Sequence, residues 1–254
     1  MIINGQLMDG TILSDFNMVD VHMHIIPEVD DGAWSLEMAD DMLRMSVIQG
    51  ISKIICTSHS FAYNEKGDFV IEQFERLKDM AAEKYPEMKL FLGCEIACQK
   101  LRMDQILEML ERESYPSMCG TKYVLTEFRT SSSSEDIVYC LERLLTEGWI
   151  PVVAHIERYP DLFQNKQVLI QLKSIGCLFQ VNVYSLYEEE NEGIKKRARM
   201  LVDEKMVDFL GSDGHKTYHR PPRVEAGLKY LYDNYDKEYI DQIAYRNPIC
   251  YFEL

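Results

Sequence analysis

The 254-residue chain is 46% hydrophobic and carries a formal charge of −15 at pH 7. Such a chain can bury one large core, and no Pro-, Gly- or Ser-rich linker divides it, so a single domain over residues 18–254 is expected behind an extension of residues 1–17. The negative field argues against nucleic acid as a partner, no run of about 18 apolar residues suits membrane insertion, and seven cysteines without a Cys-x-x-Cys pair fit a reducing, cytoplasmic compartment rather than a disulfide framework.

Short β-branched runs alternate with longer amphipathic segments, the pattern of parallel βα units. MVDVHM (18–23) reads as the first strand, followed by a helix with Ser35 as N-cap, Leu36, Ala39, Leu43 and Val47 as its inward stripe, and Gly50 as its stop. ISKIICTS (51–58) is the second strand, and SFAYNEKGDF after it is expected as a loop at the mouth of a site. The next helix is predicted to begin at Asp68, to bury Ile71, Phe74, Leu77 and Ala81, and to stop before Pro86. MKLFLGCEI (88–96) and KYVLTEF (122–128) are the third and fourth strands. SSSSED, Ser131 to Asp136, reads as the start of a helix that runs to Gly148. IPVVAHI (150–156), CLFQVNV (177–183) and VDFLGSD (207–213) complete seven strands, with an acidic mouth loop, YSLYEEENEG, from Tyr184 to Gly193. KKRAR, Lys195 to Arg199, reads first as a solvated helix face and second as an attractor for an anionic chain.

The unusual residues collect where these strands end. His22 and His24 close the first, His59 follows the second, Glu95 and Glu127 end the third and fourth, His155 ends the fifth, and Asp213 with His215 follows the seventh. Strand six offers Gln180 and Asn182. In parallel βα barrels the strand C-terminal ends and the loops after them build the active site. Five of the six histidines fall there. His-x-His on a strand puts both rings on one face, able to close on one cation. Asp20 shares that phase and is expected either to brace a ring nitrogen or to serve as a buried structural carboxylate. Nitrogen and oxygen ligation without thiolate suits Mn, Fe or Zn.

The strings DVHMHI, DDG (Asp30 to Gly32), TSH, CEI, TEF, HIERY (His155 to Tyr159), and SDGH followed by RPP (Arg220 to Pro222) resemble the polymerase and histidinol phosphatase (PHP) superfamily. Within it they are most similar to the bacterial metal-dependent tyrosine phosphatases of capsule and exopolysaccharide synthesis. The resemblance implies a distorted seven-stranded parallel βα barrel. It also implies a first metal on His22, His24, Glu95 and Asp213, a second on Glu95, Glu127 and His155, and a third on Asp31, His59 and His215, with manganese the preferred ion.

Clustered cations lower the pKa of water between them and neutralise phosphoryl charge, so direct in-line attack on phosphorus is expected, with no covalent enzyme intermediate. Arg158 and Arg220 are expected to grip phosphate, supplying the local positive charge that an acidic protein needs. His219 is the residue to test as general acid. A cysteine-dependent phosphatase is excluded, because none of the seven cysteines has arginine six positions later. The expected substrate is a phosphotyrosine protein, specifically a bacterial tyrosine kinase of the same assembly. The alternatives are a histidinol or other small-molecule phosphatase, then an amidohydrolase, whose bridging lysine after strand four is here Glu127, then a silent binding module.

Overall fold

The computed structural model describes residues 2–3, 6–7, 14–187 and 191–254. In chain order the elements are β1 (Ile2–Ile3), β2 (Gln6–Leu7), β3 (Met18–Met23), α1 (Leu36–Ile48), β4 (Ile51–Cys56), α2 (Phe61–Lys84), β5 (Lys89–Leu92), β6 (Glu95–Ala97), α3 (Met103–Glu111), β7 (Tyr123–Glu127) and α4 (Ser134–Thr146). They continue with β8 (Ile150–Val153), α5 (Lys166–Ser174), β9 (Leu178–Asn182), α6 (Glu192–Asp203), β10 (Phe209–Gly211), α7 (Glu225–Asn234), α8 (Lys237–Asp241) and α9 (Asn247–Phe252). Within the expected extension, β1 and β2 pair antiparallel. The rest of that extension before Ser14, and residues 188–190 of the acidic loop, lie outside the described residues.

The strand–helix alternation produces two parallel sheets, of order β3-β4-β5 and β10-β9-β8-β7-β6. All six residues of β3 are buried, as expected of a parallel strand covered on both faces. One apolar cluster draws on both sheets, including Val19, Val21, Ile55, Leu125, Val152 and Phe209, and Phe252 of α9 packs into it. A larger cluster lies between strands and helices.

The run expected as one third strand, 88–96, is two strands. β5 pairs with β4 and β6 pairs with β7, so the chain changes sheets between them. The corner falls at Gly93, where an added Cβ would lie 3.0 Å from Ile55 Cγ2 and 3.3 Å from Thr57 Cγ2. Past the corner the two sheets meet: Ser60 N donates to Glu95 O at 2.9 Å and Glu95 N to Ser58 O at 3.1 Å. Their other ends meet where Asp213 N donates to His22 O at 2.8 Å and His24 N to Gly214 O at 2.9 Å.

The helix starts behave as read: Ser35 Oγ accepts from Met38 N at 3.2 Å and Ser133 Oγ from Asp136 N at 3.2 Å. Helix α2 departs from expectation. It begins at Phe61, with non-helical backbone at Lys66, so the segment read as a mouth loop is helical and the expected start at Asp68 is the turn after the bend. Ile71, expected inside, is 41% exposed, whereas Phe74, Leu77 and Ala81 are buried. KKRAR, at the centre of α6, is not simply a solvated face. Arg197 Nε donates to Glu157 O at 2.6 Å and Arg199 Nε to Leu186 O at 2.9 Å, so both clamp loops beside the site.

Candidate metal centre

β3 delivers its two rings to one point. His22 Nδ1 lies 3.1 Å from Gln180 Oε1 and His24 Nδ1 lies 3.0 Å from Asp30 Oδ2. Gln180 Oε1 also accepts from His155 N at 2.8 Å, while its Nε2 donates to Asn182 Oδ1 at 2.9 Å, which fixes the amide orientation. Both histidines therefore donate through Nδ1, and in the neutral rings Nε2 carries the lone pair. Those two Nε2 atoms approach to 3.2 Å. Each also stands 3.2 Å from a different oxygen of Glu95. Acceptors facing acceptors in a buried site require positive charge between them.

The remaining donors extend the cluster. His59 Nδ1 lies 3.0 Å from both Glu95 Oε2 and Glu127 Oε1, and its Nε2 3.3 Å from Asp31 Oδ1. His215 Nε2 is buried without a hydrogen-bond partner and stands 3.4 Å from Asp31 Oδ1. His155 Nε2 lies 3.0 Å from Glu95 Oε1, and its ring is seated by the Tyr159 hydroxyl at 3.1 Å from Nδ1.

Among the described residues three groups have ligand atoms close enough to share an ion: His24, Asp31, His59 and His215; His22, His24 and Glu95; His59, Glu95 and Glu127. Seven of the nine expected ligands fall in these groups, with His24, His59 and Glu95 each in two. His155 and Asp213 stand at their edge. Asp213 Oδ1 is 3.7 Å from the Nε2 of both His22 and His24, and its Oδ2 forms an ion pair with Arg158 at 3.0 Å. Arg220 reaches the same Oδ2 at 3.5 Å and Asp31 Oδ2 at 3.4 Å, and the Tyr184 hydroxyl meets the Arg158 guanidinium. His155, Asp213 and Arg220 all have left-handed backbone, with φ of 33°, 51° and 48°, a concentration of strain typical of functional sites.

Electrostatics record the same excess of negative charge. Burial would lower His24, but its bonds to Asp30 and Glu95 outweigh burial and push it up to about 9. His59 rises far above its ordinary value for the same reason, through Asp31, Glu127 and Glu95. His215 is pushed down to about 4, first by burial and then by the charge of His24. Glu95 and Asp213 would rise on burial but are held well below the carboxylate range, chiefly by His22. The donor set fits divalent cations: imidazole and carboxylate, no thiolate, and a buried imidazole nitrogen left unbonded.

Asp30, Gln180, Asn182, Tyr159 and Tyr184 were not assigned roles from sequence. Asp30 lies beside the expected ligand Asp31, and the two divide the work: Asp30 is buried and braces His24, while Asp31 faces the cluster. Asp20, expected either to brace a ring or to serve as a buried structural carboxylate, is the second: it accepts from the backbone N–H of Ser212 at 2.9 Å and of His22 at 3.2 Å, tying β10 to β3. His219 is exposed.

A parallel α/β scaffold whose strand ends gather imidazoles and carboxylates in this way defines a metal-dependent hydrolase. The family model for capsular polysaccharide synthesis, CpsB/CapC, matches residues 18–253, and the chain belongs to that family. It is 31% identical over 237 residues to the tyrosine-protein phosphatase CpsB of Streptococcus agalactiae serotype III (strain NEM316), covering 91% of this chain and 96% of the relative. It is 28% identical over 233 residues to the tyrosine-protein phosphatase YwqE of Bacillus subtilis (strain 168), covering 90% and 87%. A crystal structure from work on YwqE of B. subtilis and CpsB of Streptococcus pneumoniae, described as metal-dependent tyrosine phosphatases, superposes with a TM-score of 0.78 at 28% identity, over 88% of this chain and 90% of that one.

Proposed function

We propose that the chain is a metal-dependent protein-tyrosine phosphatase of capsule or exopolysaccharide synthesis. In this reading His22, His24, Asp31, His59, Glu95, Glu127, His155, Asp213 and His215 hold the cations, and Arg158 and Arg220 grip the phosphate. The observation that carries it is the meeting of the His22 and His24 Nε2 atoms, 3.2 Å apart, against the two oxygens of Glu95. Divalent ions bound there lower the pKa of bound water and neutralise charge on a phosphoryl group. Three overlapping ligand groups support up to three ions per chain, with manganese preferred and iron or zinc compatible with the same donors.

The protein's own groups supply the rest. Arg158 and Arg220 converge on one oxygen of Asp213, so a phosphate arriving at that point meets two planar donor forks. Tyr184 fixes the guanidinium of Arg158. Gln180, Asp30 and Tyr159 hold three rings in the orientation that aims their free nitrogens inward. A phenolate, with a pKa of about 10, leaves without protonation more readily than an alkoxide, and we assign no general acid.

The proposed substrate is a phosphotyrosine protein, most directly a tyrosine kinase of the same apparatus, in the cytoplasm. No helix of the described chain is long and apolar enough to cross a membrane. We read the two sheets as one distorted parallel barrel, a reading supported by their meeting at His22–Asp213 and at Ser58–Glu95 and by the apolar cluster they share.

The test compares metal-dependent hydrolysis of a phosphotyrosine peptide, histidinol phosphate and an aryl phosphate by the wild type and by Arg158→Ala. The expected result is preference for the aryl esters, with turnover lost in the variant while metal is retained. Preference for histidinol phosphate would overturn the protein-phosphatase reading, and unchanged kinetics in Arg158→Ala would reject its phosphate-gripping role.

A further inference from the structure

Among the described residues eight large apolar side chains are exposed, and four of them expose more than half their surface: Trp34 at 57%, Phe61 at 58%, Tyr218 at 64% and Leu101 at 99%. The other four lie between 36% and 41%. All of the first four lie between a strand that serves the metal centre and the body of the helix that follows it, Trp34 before α1, Phe61 at the first residue of α2, Leu101 before α3 and Tyr218 before α7. Trp34 is three residues beyond Asp31, Phe61 two beyond His59, and Tyr218 three beyond His215, while Leu101 lies in the turn after β6, the strand that begins at Glu95.

Contacts tie them to the site. Phe61 stacks on His59, with ring centroids 5.3 Å apart. Trp34 and Tyr218 lie 5.7 Å apart, with Lys216 Nζ 5.6 Å from the Trp34 ring centroid. The turn carrying Leu101 is fixed beside Glu127, because Cys98 N donates to Glu127 O at 2.8 Å and Lys100 pairs with Asp136 of α4 at 2.8 Å. Apolar side chains exposed singly are unremarkable, but the most exposed ones gathered around one site mark a recognition surface.

We propose that these four residues form an apolar collar that docks the substrate chain, an extended peptide with apolar or aromatic side chains on both sides of its phosphotyrosine. This rests on the protein-tyrosine phosphatase reading. Electrostatics favour such a surface: a protein of charge −15 repels an acidic phosphopeptide at long range, and its two site arginines are already paired with Asp213 at the metal centre. Affinity for the flanking residues then comes from contact area, which rigid aromatic side chains supply at low entropic cost. The occupant is the substrate and not a second copy of the chain, because a copy seated on the collar would close the centre to any protein.

The test measures, by fluorescence anisotropy, binding of two labelled peptides that carry a non-hydrolysable phosphonate analogue of phosphotyrosine, one flanked by Leu and Phe, the other by Gly and Ser. Leu101→Ser and Trp34→Ser are compared with the wild type, and p-nitrophenyl phosphate turnover is followed in parallel. The wild type is expected to prefer the apolar-flanked peptide. Each substitution is expected to weaken that peptide alone by about tenfold, the scale of a single interface anchor, with p-nitrophenyl phosphate turnover unchanged. Equal affinity for the two peptides in the wild type, or equal losses for both in the variants, would overturn the proposal. So would a dimer, seen by light scattering, that Leu101→Ser abolishes without any flank preference. Absent turnover of p-nitrophenyl phosphate would count against the phosphatase reading instead, while the binding comparison still decides the collar.

Discussion

Asp30→Asn isolates the brace from the ligands. The Asp30 carboxylate accepts from His24 Nδ1 at 3.0 Å, from His59 N at 3.0 Å and from Gly32 N at 2.9 Å. Burial alone would raise its pKa, but the bond to His24 and the nearby charges hold it at about 2 against an ordinary 3.8. That difference corresponds to ~2.5 kcal/mol favouring the charged form, present above pH 3.8 and lost as pH falls toward 2. Asparagine keeps the shape but loses the charge and one acceptor, so the His24 ring is less firmly aimed. Loss of a partner behind a metal-binding histidine typically costs about 10–100-fold in metal affinity. Competition with a fluorescent chelator measures that affinity, and circular dichroism checks that the variant is folded. Wild-type affinity in folded Asp30→Asn would show that the Asp30–His24 bond does not support ligation.

Two further outcomes follow from the same geometry. Gly211→Ala places a Cβ 2.8 Å from both His22 Cβ and Gln180 Nε2, so it should cost about 1–3 kcal/mol by overpacking and weaken metal binding together with stability; a variant as stable as wild type, judged by denaturant unfolding, would mean the site relaxes freely. Metal-free protein should lose stability as pH rises from 6.5 to about 9. His24, raised from 6.5 to about 9, keeps in the folded state a proton that the unfolded chain releases, a contribution of order 3 kcal/mol that is full below 6.5 and gone above 9. His215, pushed down to about 4, is neutral when folded across this window and adds little slope. Metal-loaded protein should not show the decline, since ligation already excludes the ring proton. Melting temperatures with and without chelator across that range would contradict this if the two slopes matched.

Much of the site was legible because period-two alternation and strand-end position are sequence properties. His22 and His24 had to share a face, and the parallel sheets bring Glu127, His155 and Asp213 to the same end as those rings, whereas Glu95, expected to end the third strand, opens β6 just past the corner. What sequence could not resolve depended on tertiary geometry. The split of 88–96 is set by where two sheets meet, and nothing local at Gly93 distinguishes a corner from a weak point in one strand. Asp30 and Asp31 are chemically identical neighbours, and only the turn decides which one braces and which one faces the cluster. The basic run of α6 read as a surface because its two structural arginines bond backbone carbonyls of other segments, Glu157 and Leu186, which carry no side-chain signature. Gln180 stood at the right strand end but is neutral and common, so its role appeared only once its oxygen was seen shared between His22 and His155.

The most direct measurement is elemental analysis of active protein before and after chelation, alongside phosphotyrosine hydrolysis and the Glu95→Gln variant. Glu95 touches His22, His24, His59 and His155, so its neutral replacement should release bound metal and abolish hydrolysis together, with activity in the wild type falling and returning in step with metal content. Full hydrolysis by protein containing no divalent metal, or by Glu95→Gln stripped of it, would contradict a metal centre at these strand ends.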